Sequence, residues 1–150
     1  MLHVMFQVGG TNYVLPASDV TQMESFTGAT LVPGAPAHVA GLVQLRGQVV
    51  PVVDVRARFG LPSAERSLDA RIIVVGQGER RVALLVDRAR EVVDLGPDAF
   101  RNPPELVAER SAGFVRSIAQ ADSRVFMLVD VEKVIGQDPL PAEAHHGEKS

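Results

Sequence analysis

The side chains that could carry out chemistry are few and scattered. The four histidines are His3, His38, His145 and His146, and they form neither a His-x-x-x-His pair nor a cluster with acidic residues at the spacing of metal ligands. The chain has no cysteine, which excludes disulfides, thiolate metal sites and a cysteine nucleophile. The sequence therefore predicts no metal site and no cofactor.

Three aspartates lie near the ends of apolar segments, where a pair of carboxylates could act as acid and base. Asp54 and Asp130 each precede a short amphipathic segment that ends at a glycine, Gly60 or Gly136. A carboxylate in that place caps the free backbone N–H groups of a helix. Asp87 has no partner base nearby in sequence. We therefore expect a protein that is not an enzyme.

Arg46 is the remaining candidate for recognition chemistry. Alternation in the preceding segment places Leu42, Gln44 and Arg46 on one face, and Gly47 supplies the positive φ of a tight turn. One interpretation is an exposed turn residue. The other is a planar group with five donors, presented at a surface rim to the carboxylates or carbonyls of a partner protein.

Composition narrows the class of partner. Lys and Arg number 15 against 18 Asp and Glu, a net charge of −3, and no segment is strongly basic. A small β-barrel that binds single-stranded nucleic acid is the alternative function, but it needs a basic groove and exposed aromatic rings. Phe6, Phe59 and Phe126 occupy apolar positions expected in the core. We expect no nucleic acid partner.

No apolar run approaches the roughly 20 residues of a membrane helix, and the N-terminus lacks the features of a signal peptide. We expect a cytoplasmic protein with no direct membrane contact.

Periodicity predicts short strands and turns. Alternation over 4–8 indicates a half-buried strand, and hairpins are expected in 41–54, in 72–86 around a glycine-rich turn, and in 114–130 around a turn at 119–123. Residues 97–111 are expected to connect elements as a loop, either irregular throughout or with a helical turn. The strand Val49–Val53 is apolar on both faces, so one face can fill a barrel while the other meets a second barrel, and Pro51 predicts an edge or a bulge.

An internal repeat organises these elements. Residues 53–60 match residues 129–136 position by position, each a strand end, an aspartate, a short helix and a glycine. The sequence predicts an all-β protein of two small intertwined barrels, roughly 9–80 and 81–136, within one domain over 1–136. Residues 137–150 are expected to be a flexible tail.

The chain resembles the CheW-type chemotaxis coupling proteins over about residues 3–136. The matching segments are Phe6-Gln7-Val8-Gly9 with Tyr13, residues 36–41, Leu45-Arg46-Gly47 through Pro51-Val52-Val53-Asp54-Val55-Arg56, Leu85-Val86-Asp87 with Glu91-Val92, and 128–133. The resemblance implies two five-stranded SH3-like barrels and a non-catalytic adaptor. Its implied partners are the cytoplasmic tip of methyl-accepting chemoreceptors, the regulatory domain of the histidine kinase CheA, and other CheW-like domains in rings. The implied location is the cytoplasm, at membrane-associated or soluble receptor arrays.

Carried over by position, the resemblance implies a receptor-binding groove made of Val20, Gln22, Gly41, Gln44, Arg46, Gly47, Ile72 and Val92, with Ile72 and Val92 contributed by the neighbouring barrel. Two of these residues depart from the family pattern. Gln44 stands where asparagine is usual, and Gln22 stands where an acidic residue commonly pairs with the turn arginine. A groove rim more positive than usual follows from the second departure.

Overall fold

The computed structural model describes residues 1–137 and 140–141. Within them the strands are β1 (Leu2–Val8), β2 (Thr11–Pro16), β3 (Val20–Ser25), β4 (Val39–Leu45), β5 (Gln48–Asp54), β6 (Arg71–Gln77), β7 (Arg80–Val86), β8 (Arg88–Asp94), β9 (Phe100–Arg101), β10 (Val115–Ala121) and β11 (Arg124–Val129). The α-helices are α1 (Val55–Arg58), α2 (Glu105–Arg110) and α3 (Val131–Ile135). Single 3-10 turns lie at Ala17–Asp19 and Pro97–Ala99. No helix in this part of the chain is long and apolar enough to cross a membrane.

The strands form two sheets that share one plan. The first sheet has the order β8-β1-β2-β11-β10-β9, and the second has the order β3-β6-β7-β5-β4. In each, a hairpin is joined to a second hairpin by one parallel pair, β2 with β11 and β7 with β5. The all-β prediction is confirmed. The division between the two units differs from 9–80 and 81–136, because β1 and β2 pair with the C-terminal strands while the second sheet spans 20–86.

Three apolar clusters show how the two sheets are held together. Val50 and Val52 belong to a cluster inside the second sheet, and Met5 and Phe126 belong to one inside the first. The largest cluster lies between the sheets and includes Val53 together with residues of β1, β2, β6, β7, α1 and α3. The two apolar faces of β5 thus serve two different cores, as its sequence predicts.

The short helices follow their predicted caps. Asp54 accepts a hydrogen bond of 3.0 Å from the backbone N–H of Arg56, and Asp130 accepts one of 3.3 Å from that of Lys133. Gly136 ends α3 with φ 81°. Both capping predictions are confirmed. The helix α2 is the helical turn expected within the loop 97–111, but the sequence does not locate it, because it begins after Pro104 without a side-chain cap.

One local prediction is wrong, and one of the two alternatives for Pro51 is excluded. The third hairpin turns at residues 122 and 123 alone, so its strands extend further than the expected turn at 119–123 allows. The register of β4 with β5 shifts between Val39 and Gly41, opposite the residues that follow Pro51, which is consistent with the bulge alternative. Pro51 lies in β5, an interior strand of its sheet, so the edge alternative is wrong. It is tolerated because Leu42, its partner in β4, directs its N–H and C=O to Thr30 instead, in two hydrogen bonds of 2.8 Å.

The predicted tail falls largely on residues 138, 139 and 142–150, which lie outside the described residues. The described part includes Leu140, which is 3% exposed and packs in the cluster between the sheets.

Candidate partner-binding surface

The β4–β5 hairpin presents Arg46 in a tight turn. Leu45 pairs with Gln48, so only Arg46 and Gly47 form the connection. Both have positive φ, 50° and 82°. This is the geometry of a type I′ turn, which matches the twist of the flanking strands. The sequence predicted the positive φ of Gly47, but not that of Arg46.

Arg46 is exposed and has no internal partner. Within the described residues it makes no hydrogen bond and no ion pair, although other arginines of the chain are bonded to carbonyls or carboxylates. Gln44 is also exposed, and it lies directly opposite Val49, whose side chain is 54% exposed. The hairpin therefore offers a cation, an amide and an apolar group on solvent-facing positions.

Gly41 shapes the base of this hairpin. Its φ is 143°, and a Cβ at this position would lie 2.3 Å from the carbonyl oxygen of Thr30. The segment that contains Thr30 pairs with Leu42 immediately beside it. Glycine is required here because the neighbouring backbone approaches too closely for any side chain. Gly41 thus supports the surface and does not itself contact a partner through a side chain.

A depression of about 500 Å³ opens beside β4. One wall is the chain from Ser25 to Thr30, and the other is β4 from Leu42 to Leu45, with Ile72 at the base. Ile72 is only 2% exposed and lies on β6, in the same sheet as Arg46. The expectation that Ile72 is a contact from the neighbouring barrel is therefore wrong: it belongs to the interior of the second sheet.

The strand β3 carries two further expected site residues. Val20 is half-buried and packs against the cluster between the sheets. Gln22 is half-buried, and its Nε2 donates a hydrogen bond of 3.0 Å to Oε2 of Glu24. The carboxylate of Glu24 thus lies two residues from position 22, where the family pattern commonly has an acidic residue, and Gln22 is hydrogen-bonded to it.

Arg81 joins β3 to the hairpin, and sequence reasoning missed it. Its guanidinium donates to Oε1 of Gln48, next to the turn, and to Oγ1 of Thr21 at 3.5 Å. Within the described chain its Nε is buried without a partner. Arg81 is on β7, which lies between β6 and β5 in the sheet. The sequence alone does not show this order, which brings Arg81 between β3 and the β4–β5 hairpin.

Val92 lies elsewhere in the fold. It is on β8 at the edge of the first sheet, opposite Val4, and its side chain is 54% exposed. The structure therefore places Gly41, Gln44, Arg46 and Gly47 on one hairpin, Val20 and Gln22 on β3, Ile72 below the surface and Val92 on the other sheet.

Titratable groups with shifted pKa values lie away from the Arg46 turn. Burial lowers the pKa of His38, and the positive charge of Arg58 lowers it further. Burial raises the pKa of Tyr13, opposed by a hydrogen bond with Thr11. Among the residues that the structure describes, no three His, Cys, Asp or Glu side chains converge to hold a metal ion. The hairpin surface has groups suited to binding rather than to proton transfer.

Comparison with known proteins decides the family, because a profile of the CheW-like domain matches residues 2–138. The chain belongs to the CheW-like family. Chemotaxis protein CheW of Rhizobium meliloti (strain 1021) is 31% identical over 139 residues, which cover 93% of this chain and 90% of the relative. Chemotaxis protein CheW of Bacillus subtilis (strain 168) is 28% identical over 135 residues, covering 90% and 86%.

A CheW-like fold is also found by structure comparison. The crystal structure of the scaffolding protein TtCheW from Thermoanaerobacter tengcongensis superposes with a TM-score of 0.83 and 28% identity, over 91% of this chain and 93% of that one. The resemblance noted from sequence and the fold class are confirmed. The CheW-like family and fold make the protein a chemotaxis scaffold, and the alternative of a barrel that binds nucleic acid receives no support.

Proposed function

We propose that this CheW-like adaptor joins the cytoplasmic tip of a methyl-accepting chemoreceptor to the regulatory domain of the histidine kinase CheA, and that Arg46 contacts the receptor. The observation that carries the proposal is the exposed guanidinium of Arg46, fixed in a two-residue turn without an internal partner. Other CheW-like domains are further partners in rings. The protein acts in the cytoplasm, without catalysis, cofactor or direct membrane contact.

The turn favours recognition over a merely structural role. A non-glycine residue at positive φ costs free energy, and asparagine is the common choice at this position of a type I′ turn. Arginine brings no advantage to the turn itself, since its side chain bonds to nothing in the described chain. Its five donors and permanent charge are suited to carboxylates or helix-end carbonyls of a partner.

The neighbouring groups suit an amphipathic helix laid against the surface. Val49 supplies apolar area beside Arg46, and Gln44 can exchange hydrogen bonds with polar side chains. We assign the receptor contact to Gln44, Arg46 and Gly47, supported by Gly41. Val20 and Gln22 lie on β3 of the same sheet, and Ile72 backs the contact from inside that sheet, whereas Val92 lies apart from it on β8 of the first sheet.

Retention on immobilised partners tests the adaptor role. The purified chain should be retained by a receptor cytoplasmic fragment, by a CheA regulatory domain, and by either one while the other is bound. Retention of a receptor fragment on immobilised regulatory domain only when this chain is added would demonstrate coupling. Failure to bind either partner, with binding of single-stranded DNA at low salt, would reject the proposed function in favour of the alternative.

A further inference from the structure

The hairpin that carries Arg46 extends beyond the parallel strand pair that holds its base. β5 pairs with β7 from Val52 to Asp54, and this paired segment begins directly after Pro51, which has no N–H to donate to a neighbouring strand. Toward the turn, in the described chain, β5 pairs with β4 alone. Two strands that pair only with each other are marginally stable in water. The position of Arg46 therefore depends on contacts that hold this projecting end of the hairpin.

One side chain of β7, Arg81, reaches the projecting end. Its Nη1 donates a hydrogen bond to Oε1 of Gln48, the residue that follows the turn. On its other side, Nη2 donates to Oγ1 of Thr21 on β3 at 3.5 Å, and that hydroxyl donates to the carbonyl oxygen of Val74 on β6 at 3.3 Å. Because β3 and β4 lie at opposite edges of the sheet, Arg81 bridges the hairpin to the far edge.

Arg81 lies over the end of the apolar interior of the second sheet. Alternation along β7 places it on the same face as Ala83, and alternation along β5 places Gln48 on the same face as Val50. Ala83 and Val50 both belong to the cluster inside this sheet. Nε of Arg81 is buried and has no partner among the residues that the structure describes. The stem of Arg81 is therefore held against the sheet, and only its guanidinium end reaches outward.

Gly76 leaves the space that this arrangement needs. It lies directly opposite Arg81 in the pairing of β6 with β7, and opposed residues direct their side chains to the same face of a sheet. A Cβ on Gly76 would lie 3.8 Å from Cγ2 of Thr21. Because Gly76 has no side chain, the guanidinium of Arg81 can cross β6 and reach Thr21.

The chemistry of arginine suits a brace between two strands. A guanidinium has donors that point in fixed and different directions, so one group can bond to Gln48 and to Thr21 at once. An ammonium group is a single point of donation and can satisfy one of these acceptors well.

We propose that Arg81 is a positioning residue for receptor binding, because it holds the projecting end of the β4–β5 hairpin and so fixes the direction in which Arg46 points. The inference rests on the proposed contact of Arg46 with a receptor. Arg81 acts through the hairpin and does not touch the receptor. A hairpin that is already fixed loses less conformational freedom on binding, which favours affinity.

The mobility of the turn in the free chain tests the brace without a receptor. Arg81→Met keeps a long unbranched stem over the interior and removes the donors. The ¹H–¹⁵N heteronuclear NOE of Gly47 and Gln48 should fall in this variant, while the values in β6 and β7 stay at those of the parent. Gln48→Ala removes the acceptor on the exposed side and should give the same fall, so the test stands even if Arg81→Met does not fold.

Arg71→Met is the matched control. Arg71 lies at the opposite end of β6 and bonds to the carbonyls of Leu68 and Ala70, far from the turn along the strand. Its replacement should leave the NOE of Gly47 unchanged. An unchanged NOE of Gly47 in both Arg81→Met and Gln48→Ala would overturn the proposal.

A binding titration against a receptor cytoplasmic fragment tests whether the brace acts through Arg46. Arg81→Met should weaken binding by roughly three- to tenfold, and Arg81→Lys should recover part of the affinity. When Arg46 is already replaced in Arg46→Asn, the further change Arg81→Met should have no additional effect, because both changes act through one group. Urea unfolding identifies the range in which each variant is folded.

Two binding outcomes would overturn the proposal. One is an equal loss of affinity from Arg81→Met in the parent and in Arg46→Asn, which would show that Arg81 acts independently of Arg46. The other is parent affinity in Arg81→Met despite a more mobile turn. If Arg46→Asn alone binds as tightly as the parent, the proposed receptor contact fails, and the NOE of Gly47 alone then decides whether Arg81 holds the hairpin.

Discussion

Nε of Arg58 donates a hydrogen bond of 2.8 Å to the carbonyl oxygen of Val134, the residue that occupies the position of Arg58 in the second copy of the repeat. Its NH2 group donates to the carbonyl of Lys133 at 3.0 Å, and its guanidinium lies 5.3 Å from the ring centre of Phe114. One arginine of α1 thus satisfies carbonyls at the end of α3. The two copies of the repeat are joined at their equivalent helices.

Replacing Arg58 by Ala should destabilise the fold. Two carbonyls lose a charged donor, and a charged hydrogen bond contributes about 1.5–3 kcal/mol. We expect urea unfolding to show a loss of about 1–3 kcal/mol after allowance for solvent exposure. Arg58→Lys should recover part of it, since an ammonium can replace one of the two bonds. An unchanged midpoint in Arg58→Ala would show that the joint between the helices carries no net stability.

The two helix caps allow a matched comparison. Asp54→Ala and Asp130→Ala should each cost about 0.5–2 kcal/mol in unfolding free energy. The loss at Asp54 should be the larger, because its carboxylate also pairs with Arg66 at 2.8 Å, whereas Arg116 approaches Asp130 only to 3.6 Å. Asp54→Asn and Asp130→Asn, which keep a capping oxygen, are the controls. Equal stability of parent and both alanine variants would remove the capping argument.

Gln22→Glu gives a pH-dependent prediction. From the sequence, this change is expected to pair with Arg46, but the structure shows Gln22 donating to Glu24. Glutamate at 22 would lose that bond and set two carboxylates side by side, which raises their pKa values in the folded state. A raised carboxyl pKa makes the folded state relatively more stable at low pH and less stable once both groups ionise.

Unfolding of Gln22→Glu should therefore show a loss of about 0.5–1.5 kcal/mol at neutral pH. The loss should shrink as pH falls towards the ordinary pKa of glutamate, about 4.3. The control Gln22→Glu with Glu24→Gln exchanges the two groups and should restore stability at neutral pH. A stability difference that is independent of pH would contradict the assigned contact with Glu24.

The burial of Leu140 predicts different unfolding stabilities for two C-terminal truncations. Burying a leucine contributes about 1.5–3 kcal/mol, and Leu140 packs in the cluster between the sheets. A chain that ends at Gly136 should lose about that much stability in thermal or urea unfolding. A chain that ends at Pro141 should match the parent, because residues 142–150 include only alanine as an apolar residue. Equal stability of the two truncations would contradict this role of Leu140.

Sequence patterns predict this fold where local rules dominate. Alternation identified the hairpins, and the aspartates before α1 and α3 identified the caps, because these depend on residues close in the chain. The sheet order could not be predicted from alternation, since the pairing of β2 with β11 joins distant residues. The type I′ turn at Asp122 was missed because it lacks the glycine that usually indicates one.

The features of the candidate surface likewise divide into those that local sequence patterns predict and those that depend on the pairing of distant strands. Gln44, Arg46 and Gly47 share one hairpin, so alternation and the turn place them correctly. The burial of Ile72, the bond between Gln22 and Glu24, and the link made by Arg81 depend on how the second sheet is ordered. The repeat could have been extended from sequence, because Gln44 and Val49 recur as Gln120 and Val125.

The central claim is that Arg46 is a receptor contact, and a binding titration of Arg46→Asn against a receptor cytoplasmic fragment tests it most directly. Asparagine suits the type I′ turn, so the variant should be as stable as the parent or slightly more stable in urea unfolding. Binding should weaken by about 1–3 kcal/mol, the range for a lost hydrogen bond to a charged group. Arg46→Lys should retain part of the affinity, and Arg110→Asn, which removes an exposed arginine on α2, should retain all of it. If Arg46→Asn is folded and binds the fragment as tightly as the parent, Arg46 is an ordinary turn residue and the assignment is wrong.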